Sequence, residues 1–300
     1  VNKTLTVAAV MDQDQAPILP ERRIPYDTLV LAIGSVTNFF GIRGAADHAM
    51  AIDTVAQAEH VRRKILAACM RSQTRLAESG GQERQRVNLV VIGGGATGVE
   101  LAAELRNTAR VLAAYGLHRL NPVDDITITL VEAGPRILPP LPERIAHATA
   151  ALLGDLRVTI LTGDKVTEVR PDAVLTGSGR ALPSDLTVWA GGIKVPAVLG
   201  RVGLPTNHIG QVIVSPTLQS ITDPDIFALG DCASCPWPAT GKSVPPRAQA
   251  AHQQASLLVN SLRRRLAGRS LPTFTYRDHG SLISLGHYET VGNLMGRLVG

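Results

Sequence analysis

The stretch "VNLVVIGGGATGVELAAEL", Val87 to Leu105, decides how this chain folds. An apolar, β-branched run ends in glycines spaced Gly93-x-Gly95-x-x-Gly98 and passes into a helical pattern rich in Ala, Leu and Glu. Each glycine has its own task in a strand–turn–helix. Gly93 makes the tight turn, Gly95 lets the backbone approach a pyrophosphate, and Gly98 lets the helix pack on the strand. The helix N-terminus then holds phosphates through free N–H groups and its dipole. A bare G-x-G-x-x-G is a weak signal; between a strand and a helix it reads as a dinucleotide-binding turn. Such a fold normally opens a chain, yet here the strand begins at residue 87. Either a separate domain precedes it, or it is the second of two such folds.

Downstream, the strand "ITITLVEAG" from Ile126 ends in Glu132. A carboxylate there accepts hydrogen bonds from the adenosine ribose hydroxyls and repels a 2′-phosphate, which argues for NADH over NADPH. The spacing from Gly98 is wider than usual, and the insertion "YGLHRLNPVDD" accounts for it. Arg136 could serve a 2′-phosphate, but Glu132 weighs against it. The pattern continues as a helix at about 142–153, three short β segments through "DLTVWAGGI", and a change of composition after Lys194. The strand "IFALGD", a Pro-rich loop and a helix over about 247–267 follow.

Upstream, "KTLTVAAV" and "YDTLVLAIGS" read as strands, and "DTVAQAEHVRRKILAAC" (Asp53–Cys69) as a helix capped by Asp53 or Thr54. "RSQTRLAESGGQERQR" reads as a polar linker. The sequence therefore predicts an α/β protein in which a Rossmann-like domain, 87–194, is inserted into a second, partial domain. On this reading 1–50 is the C-terminal portion of that domain's first half. Residues 51–86 connect, and 195–300 supply its second half and the start of a C-terminal region.

The 300 residues suit two domains, and 45% hydrophobic with 18% charged residues describes a folded protein rather than a disordered one. The net charge is +5, but the Arg residues are scattered and only 3% of residues are aromatic, which argues against nucleic-acid binding. Three cysteines make no disulfide framework and point to a reducing compartment. Cys232 and Cys235 form C-x-x-C without a second pair for zinc, so they are expected to be bystanders and no metal is expected. No stretch reaches the roughly 18 apolar residues of a membrane span. Both chain ends look cut: the first residue is Val1, and "GNLMGRLVG" stops without a tail.

The segments "YDTLVLAIGS", "VVIGGGATGVELAAEL", "VEAGPRILP", "IFALGDCA", "PPRAQAAHQQA" and "GSLISLGHYETVGNLMG" occur in an order that resembles the type II NADH:quinone dehydrogenases. These are single-subunit members of the two-dinucleotide-fold flavoprotein superfamily. The resemblance covers essentially the whole chain; "AQAAHQ" and "GSLISLGHYETVGNL" are its most family-specific parts. It implies a non-proton-pumping enzyme in which hydride passes from NADH to FAD and electrons then pass to a membrane quinone. Gly93, Gly95, Gly98 and Glu132 would hold NADH. Gly34, Gly230 and Asp231 would contact the flavin, with Gly192 and Ala248 as further cofactor contacts. Glu100 would position the nicotinamide, and Gln249 and Gln253 would line the quinone site. His252 reads as a packing or surface residue. "RRR", Arg263–Arg265, reads as a solvated helix face or as an attractor of anionic lipid.

The resemblance also implies an FAD-binding G-x-G-x-x-G upstream of Val1 and a membrane-attaching segment beyond Gly300. The chain alone is then expected to lack FAD and activity. The longer protein is expected to lie peripherally on the cytoplasmic side of the inner membrane, with homodimerisation open. The rivals are another NADH-linked or sulfide:quinone-type flavin reductase, and a non-catalytic NADH-sensing protein.

Overall fold

The computed structural model describes residues 3–82, 84–115, 117, 119–286, 290–294 and 297–299. The family segment from Gly280 to Gly296 therefore lies partly outside the described residues, as do Gly116 and His118 of the insertion. Contacts divide the chain into two compact units: 36–193 with 279–300, and 1–35 with 194–278.

The first unit is built on a five-stranded sheet. Its elements are β1 (Ala49–Met50), α1 (Val55–Glu78), β2 (Val87–Ile92), α2 (Ala96–Ala114), β3 (Ile126–Glu132), α3 (Glu143–Asp155), β4 (Val158–Thr162) and β5 (Leu186–Trp189). The strand order is β4-β3-β2-β5-β1 and every pair is parallel. Val87 pairs with Ile126 and Trp189 with Ile92, so β2, β3 and β5 finish together at one edge. The chain winds to one side of β2 through β3 and β4, then to the other side through β5. Open α/β sheets bind ligands at the carboxyl ends of strands where the winding reverses, here between β2 and β5. A three-stranded antiparallel meander, Val166–Val169, Ala173–Thr176 and Ala181–Pro183, lies between β4 and β5 in sequence.

Two features differ from the sequence expectation. The unit begins at residue 36, not 87, because β1 adds an edge strand and α1 buries Val61, Ile65, Ala68 and Cys69 in the same core as Val87 and Leu89. Helix α1 also runs through the first half of the expected linker, to Glu78. Its start is a capping box in which Thr54 and Gln57 exchange hydrogen bonds. Its last turns bury Ser72 and Leu76, and the Ser72 hydroxyl donates to the Gln85 carbonyl at 2.5 Å. A polar surface concealed two buried positions four residues apart. The hairpin Gly280–Ser284 and Thr290–Leu294 also belongs to this unit, with Ile283, Leu285 and Val291 in the same core.

The second unit pairs Leu29–Leu31 in parallel with Ile226–Ala228, and Thr4–Val7 antiparallel with Arg22–Pro25. Helix α4 (Ala248–Leu266) packs Ala250 and Leu258 into a core with Phe227, Cys232, Phe274 and Tyr276. Several apolar side chains of its N-terminal strands are exposed, among them Ile18, Leu5 and Ile24.

Candidate functional site

Each fingerprint glycine is fixed by what a side chain would strike. Gly93 has φ +112, and a Cβ there would lie 2.5 Å from the Ala190 carbonyl oxygen after β5. At Gly98 a Cβ would lie 1.8 Å from the Gly93 carbonyl oxygen, so α2 reaches the turn only because that position has no side chain. At Gly95 it would meet nothing within 4 Å. Gly95 is also the N-cap of α2, without a side-chain cap. The crevice at the switch point thus combines tight backbone packing with open space at the glycine next to the helix start. This fits a pyrophosphate, whose charge the free N–H groups and dipole of α2 stabilise.

Glu132 closes β3 beside this turn. Its Oε2 accepts the Gly94 N–H at 2.6 Å and its Oε1 the Gly134 N–H at 2.6 Å. A Cβ on Gly94 would stand 2.8 Å from the Glu132 Cβ. Gly94 and Gly134 were not legible as site residues, because only the fold brings them to Glu132. Arg136, the alternative partner for a 2′-phosphate, is committed elsewhere: its guanidinium donates to the Leu138 carbonyl at 3.0 Å and the Pro139 carbonyl at 2.7 Å. A cavity of about 310 Å³ opens here, lined by Gly93, Glu132, Val166, Trp189, Gly191 and Phe40 among others. Gly192, at φ +141, follows β5 on the same edge. A wider cavity of about 700 Å³ lies at the amino-terminal strand edge. It lies at the opposite edge from the Gly93–Gly98 turn and Glu132, with Arg84 paired to Asp125 and Asn88 bonded to Asp185, so the smaller cavity is the better nucleotide site.

Glu100, in the second turn of α2, accepts the Ser284 N–H at 3.1 Å. The structure thus gives it a backbone partner from the C-terminal hairpin.

In the other unit, Gly34 (φ +66) and Gly230 (φ +70) both need the left-handed region. Asp231 accepts the Ser35 hydroxyl at 2.8 Å. Two buried glutamines hold the turn: Gln254 accepts the Gly230 N–H at 2.7 Å, and Gln211 donates to the Asp231 carbonyl at 2.9 Å. No sequence pattern distinguished these glutamines from surface ones. A carboxylate and hydroxyl beside two strand-end glycines suit a polyhydroxylated chain such as ribityl. Beyond the Ala248 start of α4, Gln249 donates to Asp278 at 3.3 Å. Gln253 clamps the Arg277 backbone, donating to its carbonyl at 2.8 Å and accepting its N–H at 3.0 Å.

Cys232 and Cys235 are buried free thiols. The Cys232 Sγ donates to the Leu229 carbonyl at 3.2 Å, and burial pushes the Cys235 thiol up to about 11. Among the described residues no group of three or more His, Cys, Asp or Glu could hold a metal. Of the basic run, Arg265 pairs with Asp225 and Arg264 donates to the Ser270 carbonyl at 2.6 Å. Among the described residues no helix is long and apolar enough to cross a membrane.

Comparison with known proteins agrees with this geometry. The family described as Pyridine nucleotide-disulphide oxidoreductase matches residues 3–255. The type II NADH:quinone oxidoreductase of Haemophilus influenzae is 38% identical over 302 residues, covering 97% of this chain and 68% of that protein. An Arabidopsis thaliana mitochondrial protein, the internal alternative NAD(P)H-ubiquinone oxidoreductase A1, is 30% identical over 91% of this chain. The chain spans about half of that relative's length, 54%. The fold matches Plasmodium falciparum NDH2, solved in complex with NADH, with a TM-score of 0.83 at 20% identity, covering 99% of this chain and 74% of that one. The chain belongs to the pyridine nucleotide-disulphide oxidoreductase family and, within it, to the type II NADH:quinone oxidoreductases.

Proposed function

We propose that this chain performs the NADH-binding part of non-proton-pumping NADH:quinone oxidoreduction, with FAD as the intermediate carrier. The observation that carries it is the crevice at the carboxyl edge of the parallel sheet, where the Gly93–Gly98 turn meets the Glu132 carboxylate. The turn and the α2 start bind the pyrophosphate, and Glu132 accepts from the adenosine ribose hydroxyls. When bound, FAD accepts hydride from NADH and passes electrons to the quinone. Asp231, held by Ser35 and Gln211 in a turn that Gln254 pins at Gly230, bonds the ribityl chain, with Gly34 and Gly230 admitting it. Glu100 positions the nicotinamide, and the N-terminus of α4 with Gln249 and Gln253 faces the quinone. Gly192 and Ala248 complete the cofactor contacts.

The lipid-soluble substrate supports peripheral membrane contact, and the family resemblance points to the cytoplasmic face of the inner membrane. The C-x-x-C thiols argue against a sulfide:quinone-type reductase, because both are buried and burial raises the pKa of each. Calorimetric titration with NADH and NADPH tests the binding half. Turnover of NADH with a water-soluble quinone by the FAD-containing holoenzyme tests the rest. Binding without turnover would favour an NADH sensor.

A further inference from the structure

The segment that crosses the carboxyl edge of the sheet contains a tight turn, Phe39 to Ile42, closed by the Ile42 N–H on the Phe39 carbonyl at 3.0 Å. Both central residues have positive φ, +52 at Phe40 and +67 at Gly41. That is the signature of a type I′ turn, which strongly favours Asn-Gly. Phenylalanine is a poor choice at the first central position, since a bulky side chain in the left-handed region is strained. Packing does not explain it either, because Phe40 is 59% exposed.

The surroundings hold the strained residue in place. Asn38 accepts the Phe40 N–H on Oδ1 at 2.9 Å, donates its own N–H to the Gly192 carbonyl at 2.9 Å, and accepts Trp189 Nε1–H on its carbonyl at 2.9 Å. Strain maintained in this way gathers at ligand sites. The exposed ring lines the 310 Å³ cavity whose other walls include Val166 and Trp189 and whose polar corner is Glu132.

We infer that Phe40 is a binding residue of the nucleotide site, supplying an aromatic face on which the adenine ring of NADH stacks. The inference rests on the NADH reading above and goes beyond it, by assigning the base attached to the ribose at Glu132. A flat π-system against an apolar wall suits an aromatic side chain, and every purine offers that face. Adenine, rather than nicotinamide, follows from Glu132, since the acid at the end of the second strand addresses the adenosine ribose.

The test separates binding from stability. Phe40→Asn restores the favoured Asn-Gly turn, so its melting temperature should equal or exceed that of the wild type. Its affinity for ADP-ribose and for NADH should nevertheless fall by about tenfold, in the range that stacking one base on one ring contributes. Phe40→Leu should lose a similar factor, while Phe40→Tyr should stay within about twofold of the wild type. Unchanged ADP-ribose affinity in Phe40→Asn and Phe40→Leu would overturn the stacking assignment alone. So would a loss confined to NADH with ADP-ribose untouched. A wild-type chain that bound neither probe would sink the NADH reading and this inference together.

Discussion

The Glu132 carboxylate is shared between the Gly94 N–H and the Gly134 N–H, each at 2.6 Å. Two backbone donors fix both oxygens before any ribose arrives, so the carboxylate is presented in one orientation. Arg136 is tied to backbone carbonyls rather than turned to a 2′-phosphate, and the Glu132 carboxylate repels one. The chain should bind NADH at least about tenfold more tightly than NADPH, a difference of roughly 1.4 kcal/mol. Glu132→Gln should narrow that ratio. Calorimetry with both dinucleotides decides it, and equal affinities in the wild type would refute the role of Glu132.

Arg106 is fully buried on α2, and its guanidinium reaches four carbonyls: Leu156 at 2.8 Å, Ile126 at 2.9 Å, Arg157 at 3.0 Å, and Pro122. Burial, then the neighbouring Arg110, lowers its pKa from the usual value. Arg106→Leu keeps the helix propensity but strands several buried acceptors, each costing about 1–3 kcal/mol. The nucleotide-binding unit should lose at least about 3 kcal/mol of stability. Urea unfolding followed by circular dichroism measures it; a loss below 1 kcal/mol (about one unpaired acceptor) would show that water replaces the guanidinium.

The thiols predict an alkaline limit. Burial raises Cys69 and Cys235 from 9.0 to about 11 each, with Asp185 adding to the shift at Cys69. A raised folded-state pKa favours the protonated native form, so this stability is whole below pH 9 and falls as the pH rises towards 11. Each thiol contributes on the order of 2 kcal/mol to that loss. Cys69→Ala should flatten the decline of the melting temperature between those limits. A variant with the same alkaline slope as the wild type would contradict the assignment.

Gln249 and Gln253 should behave differently from each other. Gln253 clamps the Arg277 backbone from both sides, so Gln253→Ala should loosen the 277–278 strap as well as impair turnover. Gln249 donates to the Asp278 side chain at 3.3 Å, a longer bond than either of the two at Gln253. In the FAD-containing holoenzyme, Gln249→Ala should leave flavin bleaching by NADH near normal while steady-state quinone turnover falls. Stopped-flow absorbance gives both, and equal losses in the two steps would remove Gln249 from the quinone site.

The double cysteine variant Cys232→Ser/Cys235→Ser should retain NADH:quinone turnover within about tenfold, or roughly 1.4 kcal/mol in barrier. Both thiols are buried, and burial raises the pKa of each. A greater loss, with the melting temperature preserved, would give the pair a chemical role.

What the sequence determined by itself was local. The Gly93–Gly98 turn, the strand ending in Glu132, and the helices at 96–114 and 248–266 follow from periods and turn chemistry that a short window contains. The tertiary structure decided what depends on distant partners. Residues 49–50 are too few to show a period, and they become the fifth strand only because β5 lies beside them. The last turns of α1 look polar until Ser72 and Leu76 meet their neighbours. Glu132 meets Gly94 across 38 residues, and Glu100 meets Ser284 across 184. Hydrogen bonds at such separations leave no local pattern, so only the assembled sheet, helix and hairpin could reveal what holds each carboxylate.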